Sequence, residues 1–276
     1  MNEFQQERID FDKAHSISEK QVKPYFNRAL NKNVERIVTW VNTYGLDNVP
    51  VNMLLNRGVW RDAYLQVYQL IGMKFARREF YRQRTLDGLE VKDSAIDFLV
   101  DVWSGKLREF ALNYINGIET DLNQTTIDLI TQALGKDYSL GVDQDGKVRL
   151  FLTELKNIIK TRGLTFSRTE TTTMANLGKD IGARSWIDEQ GGQGYKVWLG
   201  RIIGERDDHL HLNDTVVPID EKYDMSGDLC DRPGDVSLPA RKRINCRCTQ
   251  SFMTENRYNQ YVNRGRIVDN KLTGAS

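Results

Sequence analysis

The chain has 276 residues, 39% of them hydrophobic and 28% charged, with 39 basic side chains against 38 acidic ones. That length supports one large domain or two ordinary ones, each with its own core. A formal charge of +1 excludes a polycation, so nucleic acid could only meet a local patch. No stretch approaches the ~20 apolar residues of a membrane span, and the first residues lack the basic-then-apolar pattern of a secretory leader. Three cysteines, two of them one residue apart, do not make a disulfide framework. The expectation is a water-soluble protein made in a reducing cytosol, with no membrane partner.

The cleanest helical pattern covers residues 18–44, where Val22, Tyr25, Phe26, Ala29, Leu30, Val34, Ile37, Val38 and Val41 recur at steps of three and four. Ser18 followed by Gln21 reads as a capping box, Pro24 falls in the first turn, and Gly45 is a stop. This stripe is most simply a core face, although it could dock on a partner. A second helical stretch runs over 51–84 with an interruption near Gly58. A third covers 91–115, with Leu99, Val102, Trp103, Leu107, Phe110, Ala111, Tyr114 and Ile115 on one face. A shorter helix is predicted over 117–135, opened by Thr125-Thr126-Ile127-Asp128 and closed by Gly135 in a left-handed conformation. The Asp145-Gly146 pair between short apolar runs suggests a turn or hairpin. Helix returns over 150–161 and again over 168–187.

The character changes after Gly191-Gly192. Residues 195–203 are aromatic and β-branched and read as a strand, Gly, Pro and Asp then punctuate the chain up to Pro239, and 245–253 reads as a last strand. A polar, loose tail is expected from Glu255 onward. The fold class is α+β, mostly α, with long N-terminal helices followed by a small loop-rich α+β C-terminal domain.

Four groups of residues could carry chemistry. His209, His211, Cys246 and Cys248 have the side chains of a structural zinc site, with zinc the possible cofactor, but their one-residue gaps are tighter than those of familiar zinc motifs. The alternative is that the cysteines pack as small hydrophobes while the imidazoles hydrogen-bond locally. Arg168, Thr169 and Glu170 invite comparison with the Arg and Glu of ADP-ribosyltransferases, yet their helical context favours a buried Arg–Glu pair. Asp207, Asp208 and Asp214 beside His209 could hold Mg²⁺ or supply a general base, or could be ordinary turn residues. Lys74, Arg77, Arg78 and Arg82 share roughly one helical face and could contact DNA phosphates, weakly and without sequence preference. Glu79 dilutes that face. No Walker loop, Rossmann glycine fingerprint, nucleophile elbow or H-E-x-x-H helix is present.

The most specific segment is Pro233-Gly234-Asp235, then Leu238-Pro239-Ala240, then Ile244-Asn245-Cys246-Arg247-Cys248. It follows Arg168-Thr169-Glu170-Thr171, Lys196-Val197-Trp198, Asp207-Asp208-His209 and Val217-Pro218-Ile219-Asp220-Glu221. In that order the blocks resemble the phage Mu F-like minor head proteins, or head morphogenesis proteins, of tailed bacteriophages. The resemblance covers about residues 117–252, leaving 1–116 as a helical N-terminal region and 253–276 as a polar tail. One departure is Ile202-Ile203-Gly204, where the family usually carries Asp-x-Arg.

The resemblance implies a non-enzymatic virion component made in the host bacterial cytoplasm. Inside the head near the portal vertex, it would act in assembly, DNA packaging or delivery. Its implied partners are the portal protein, other head proteins and packaged double-stranded DNA. With 28 residues after Cys248, no toxin or enzyme cargo domain is expected. The competing class is a virion-borne enzyme, either a metal-dependent nuclease using His209 and Asp207 or an NAD-dependent ADP-ribosyltransferase using Arg168 and Glu170. The resemblance also requires the Arg-Thr-Glu-Thr helix, the imidazole-bearing turn and the Cys-x-Cys segment to share one compact module.

Overall fold

A computed structural model describes residues 2–89, 96–138, 143–200 and 207–273, with the side chains of Asp207 and Asp208 outside the description. The architecture is mostly helical. Long helices α1 (Glu3–Tyr44), α3 (Trp60–Leu86), α4 (Asp97–Leu134) and α5 (Gln144–Gln190) precede a small region of short strands and turns. A single turn, α2 (Val51–Leu54), and a 3₁₀ turn (Arg57–Val59) lie between α1 and α3, which matches the interruption expected near Gly58.

The helices are longer and fewer than the sequence pattern suggests. α1 begins at Glu3, where Asn2 Oδ1 accepts the backbone N–H of Gln5 at 2.8 Å and Gln5 Oε1 accepts the N–H of Asn2 at 3.2 Å. That reciprocal cap does the work assigned to Ser18. Ser18 is instead buried mid-helix and accepts a hydrogen bond from Lys74 Nζ. Pro24 sits deep inside α1 on an exposed face, where water can satisfy the carbonyl that its missing N–H leaves over.

The helix expected to begin at Gly117 is the second half of α4, and Thr125 and Thr126 bond back to the carbonyls of Asp121 and Leu122 rather than capping anything. Gly135 does follow the last residue of α4, but not at positive φ, whereas Gly45 ends α1 at φ +81°. The Asp145-Gly146 hairpin is corrected too, because both residues lie in the first turn of α5. Asp143 caps that turn, its carboxylate accepting the Gly146 N–H at 2.8 Å. The first residues of the 91–115 stretch, 91–95, lie outside the described residues, as does 201–203 of the expected strand.

Two compact units emerge, each assembled from separated stretches of chain. One comprises 1–21, 68–108 and 168–276; the other comprises 22–67 and 109–167. Each long helix therefore contributes a segment to both, and the break at 116/117 is a boundary of neither.

In the second unit the apolar stripe of α1 is core: Val22, Phe26, Leu30, Val34, Ile37 and Val41 are all buried. Aromatic rings pack edge to face there, Phe26 on Tyr64 at 5.5 Å and Trp60 on Phe166 at 5.5 Å. The Trp60 indole N–H and the Asn33 amide N–H both donate to Asn123 Oδ1, so these buried donors share one buried acceptor.

In the first unit α3 and α5 approach backbone to backbone. A side chain at Gly178 would strike the carbonyl of Gly72, and one at Gly182 the carbonyl of Ala76. Small residues four apart on both helices make that crossing possible. Beside it lies an antiparallel sheet in the order β2 (Val216–Pro218), β1 (Gly194–Leu199), β5 (Thr249–Thr254). The register pairs Trp198 with Gln250 and Val197 with both Val216 and Ser251. Hairpin β3 (Tyr223–Met225) and β4 (Asp228–Cys230), and the single turns α6 (Asp207–Leu210) and α7 (Ala240–Arg243), fill the loop region.

The expected loose tail is structured as far as Leu272. Helix α8 (Glu255–Asn263) is followed by the hairpin β6 (Ile267–Val268) and β7 (Lys271–Leu272). Burial explains the difference. Arg257 is enclosed and pairs with Asp87 at 2.9 Å, and Tyr258 stacks on Tyr195 at 3.6 Å. Among the described residues no helix is long and apolar enough to cross a membrane.

Candidate functional site

The site lies wholly in the first unit, and α5 is its floor. Thr169, Thr172, Thr173 and Asn176 fall at i, i+3, i+4 and i+7, so they share one helical face, and all four are buried. That polar stripe grips the closing motif. Thr172 Oγ1 donates to the Cys246 carbonyl, Thr173 Oγ1 to the Gly234 carbonyl at 2.8 Å, and Asn176 Nδ2 to the Cys248 carbonyl at 3.0 Å. In return, the Asn245 N–H donates to Thr169 Oγ1 at 3.1 Å.

Each residue of the closing motif has a local job. Gly234 turns at φ +74°, against Thr172 and Thr173, where a Cβ would be both strained and crowded. Asp235 accepts the N–H groups of Asp231 at 2.7 Å and Ser237 at 2.9 Å. Burial alone would raise its pKa, but the Arg232 charge and these hydrogen bonds hold it below the usual carboxylate value. Pro239 precedes the first turn of α7, and Asn245 takes the left-handed conformation, φ +59°, that asparagine tolerates better than most residues.

This packing brings the imidazole and the thiols together. The ligand atoms of His209, Cys246 and Cys248 lie within 4.8 Å of one another, all in buried residues. His209 Nδ1 is 3.3 Å from Cys248 Sγ and 3.8 Å from Cys246 Sγ. Its Nε2 lies 3.0 Å from the Lys242 carbonyl, which can only accept, so Nε2 carries the proton and Nδ1 presents a lone pair. Trp198, at 6.0 Å from the ring and edge-on, and Tyr223 wall the site.

The hydrogen bond from the Cys248 thiol, above all, draws the Cys246 thiol well below its ordinary pKa, against the opposing effect of burial. Cys230 belongs to the same apolar cluster but goes the other way, pushed up to about 12 by burial and by the nearby Asp235 carboxylate. It packs there as a small hydrophobe.

His211 does not join the group. It is exposed, with Nε2 on the Asp224 carbonyl at 3.0 Å. The expectation assumed a strand, in which i and i+2 share a face. His209 instead lies within the helical turn α6, where two positions rotate a side chain about 200°.

Arg168 and Glu170 are both engaged, but not with each other. Arg168 pairs with Glu19 at 3.0 Å, while Glu170 accepts from Tyr68 at 3.1 Å and faces Arg243 at 3.5 Å. Positions i and i+2 of a helix diverge, which is why the expected internal pair is absent. Asp214 is paired with Arg8. The expected acidic roles of Asp207 and Asp208 lie outside the described residues.

Of the cationic face, Arg82 is spent on Glu7 and Glu79, both at 3.0 Å, and Arg78 on the Asp10 carbonyl and the Glu7 carboxylate. Lys74 donates to Ser18, and Arg77 is exposed with no ion pair among the described residues. Only Lys74 and Arg77 present charge outward without an acidic partner.

Sequence reasoning passed over Asn176, His15 and Lys179. His15 Nε2 meets Thr172 Oγ1 at 2.9 Å, and Lys179 reaches Glu7 and Thr249. The polar spacing of 169–176 on a helix that is otherwise core was the available signal for Asn176. Nothing in the sequence pairs His15 or Lys179 with partners more than 150 residues away.

Compared with known proteins, the chain is 24% identical over 192 residues to the uncharacterized protein YqbB of Bacillus subtilis (strain 168). The alignment takes in 67% of this chain and 52% of that protein, so the chain spans about half the length of this relative. No family model and no solved structure matches the chain.

Proposed function

We propose that this protein is a minor head protein of a tailed bacteriophage or prophage, working inside the head near the portal in assembly, DNA packaging or DNA delivery. The supporting observation is the junction of its three signature blocks in one unit, with α5 holding the backbone of the Cys-x-Cys segment through Thr172 and Asn176. The resemblance to the Mu F-like proteins requires that junction. Its partners in this reading are the portal, other head proteins and, weakly, packaged DNA. A zinc ion at His209, Cys246 and Cys248 is the cofactor that suits it.

The reading is non-enzymatic. His209 is 1% exposed and Glu170 is 2% exposed, each tied to neighbours that hold shape. Mass spectrometry of purified particles tests the proposal. It is expected to find the chain in mature, DNA-filled heads, in few copies. Presence in precursor heads alone would make it an assembly scaffold. Plasmid cleavage in Mg²⁺, Mn²⁺ or Zn²⁺, or NAD consumption, abolished by His209→Ala or Glu170→Ala, would replace the proposal with an enzyme.

A further inference from the structure

We propose that His209 Nδ1 and the sulfurs of Cys246 and Cys248 bind one zinc ion, in a three-residue site that excludes His211. The inference starts from a convergence. One imidazole lone pair faces two buried sulfurs, at 3.3 Å and 3.8 Å, and all three ligand atoms lie within 4.8 Å of one another. A cation between them can bond all three atoms at once.

The distances agree with such an ion. Zinc bonds of ~2.3 Å to sulfur and ~2.0 Å to nitrogen, at a tetrahedral angle, put N and S about 3.5 Å apart. The two observed separations straddle that value. Two thiolates and an imidazole also favour zinc over the hard ions magnesium and calcium.

The surroundings are those of a prepared ligand set. The Lys242 carbonyl fixes the tautomer that exposes Nδ1, as an acceptor behind the ring does at zinc-bound histidines. Thr172 and Asn176 pin the carbonyls of Cys246 and Cys248, so the backbone that carries both sulfurs is held by α5. Among the described residues no fourth side chain joins the group, which leaves the last position of a tetrahedral ion to a water or small anion. Bound zinc would lock the α6 turn to the segment entering β5, a link across 37 residues that otherwise depends on hydrogen bonds and packing. The competing account, thiols packed as small hydrophobes like Cys230, predicts no metal.

This inference is independent of the head-protein reading, which particle composition tests and metal content does not. The experiment is elemental analysis of the full chain purified under reducing conditions, followed by chelation and titration with Zn²⁺ or Co²⁺. The expected result is roughly one zinc per chain. Reloading with Co²⁺ should give a thiolate-to-cobalt charge-transfer band, and chelation should lower the melting temperature. His209→Ala, Cys246→Ser and Cys248→Ser should lose the metal while His211→Ala keeps it. Should the ligand variants fail to fold, the cobalt spectrum of the wild-type chain and the His211→Ala content carry the test. Far less than one equivalent after reloading, a cobalt complex without the thiolate band, or equal loss in His211→Ala would overturn it.

Discussion

Asn176 shows how much of this site hangs on single polar atoms. Its amide donates to the Thr172 and Cys248 carbonyls, and its oxygen accepts from Thr249 Oγ1 at 3.0 Å, all out of water. Truncation to alanine strands buried groups at a cost of about 1–3 kcal/mol each. Asn176→Ala should therefore lose roughly 2–4 kcal/mol in urea unfolding. The near-isosteric Asn176→Asp should lose at least as much, because a carboxylate would face the Cys248 carbonyl. Wild-type stability in that variant would show that the amide donor is unimportant.

Glu7 is the second residue on which the first unit depends. It sits 3.0 Å from Arg82 and beside Lys179, with Glu79 and Thr249 completing the network. Burial opposes its ionisation, but the charges of Lys179, Arg82 and Arg78 together hold its pKa down at about 2, against an ordinary 4.5. A carboxylate whose folded pKa is depressed adds stability above its unfolded pKa and loses it as pH falls toward the folded value. Stability should therefore drop between about pH 5 and pH 2. Glu7→Gln should flatten that part of the profile while costing about 3–5 kcal/mol at neutral pH, because the cations stay buried without it. A variant with an unchanged acid limb would rule out Glu7 as the group responsible.

At the scale of elements, the crossing of α3 and α5 and the run of α4 give opposite expectations for the same residue type. Gly182 meets the Ala76 carbonyl, so Gly182→Ala should force the helices apart and cost about 1–3 kcal/mol. Gly117 lies mid-α4 with open space where a Cβ would go, so Gly117→Ala should stabilise by up to about 1 kcal/mol. Melting temperatures of the two variants should move in opposite directions. Asp143 offers a third check, since losing its cap on α5 should cost about 1 kcal/mol.

These elements also mark the limit of pattern reading. Apolar periodicity located α1, α3 and the first half of α4, because their buried faces repeat at the helical period. It divided α4 at Gly117 and left 162–167 of α5 unassigned, because glycine and cap-like residues weaken local helix preference while tertiary packing overrides it. Asp143 and Asp145-Gly146 illustrate the same ambiguity, since Asp and Gly serve a helix start as well as a hairpin.

At the scale of the whole molecule, near-neutral charge and intramolecular ion pairing set the expectation for DNA. With Arg78 and Arg82 engaged internally, few phosphates can be neutralised by this face. Any affinity carried by Lys74 and Arg77 should be independent of sequence and vanish with added salt, the salt slope scaling with the number of contacts. Filter binding across a salt series measures it, and tight, salt-insensitive binding to one sequence would contradict it.

The amino-acid sequence alone determined that the chain is mostly helical, that a loop-rich α+β region follows, and that His209, Cys246 and Cys248 were worth watching. Those conclusions rest on local periodicity and residue chemistry, which neighbours in the chain express. Only the tertiary structure decided that His211 turns away, that Arg168 and Glu170 take separate partners, and that Glu7 and Lys179 meet across 172 residues. Such pairings depend on which helix faces come together, and the packing of distant segments is written in no single stretch of sequence.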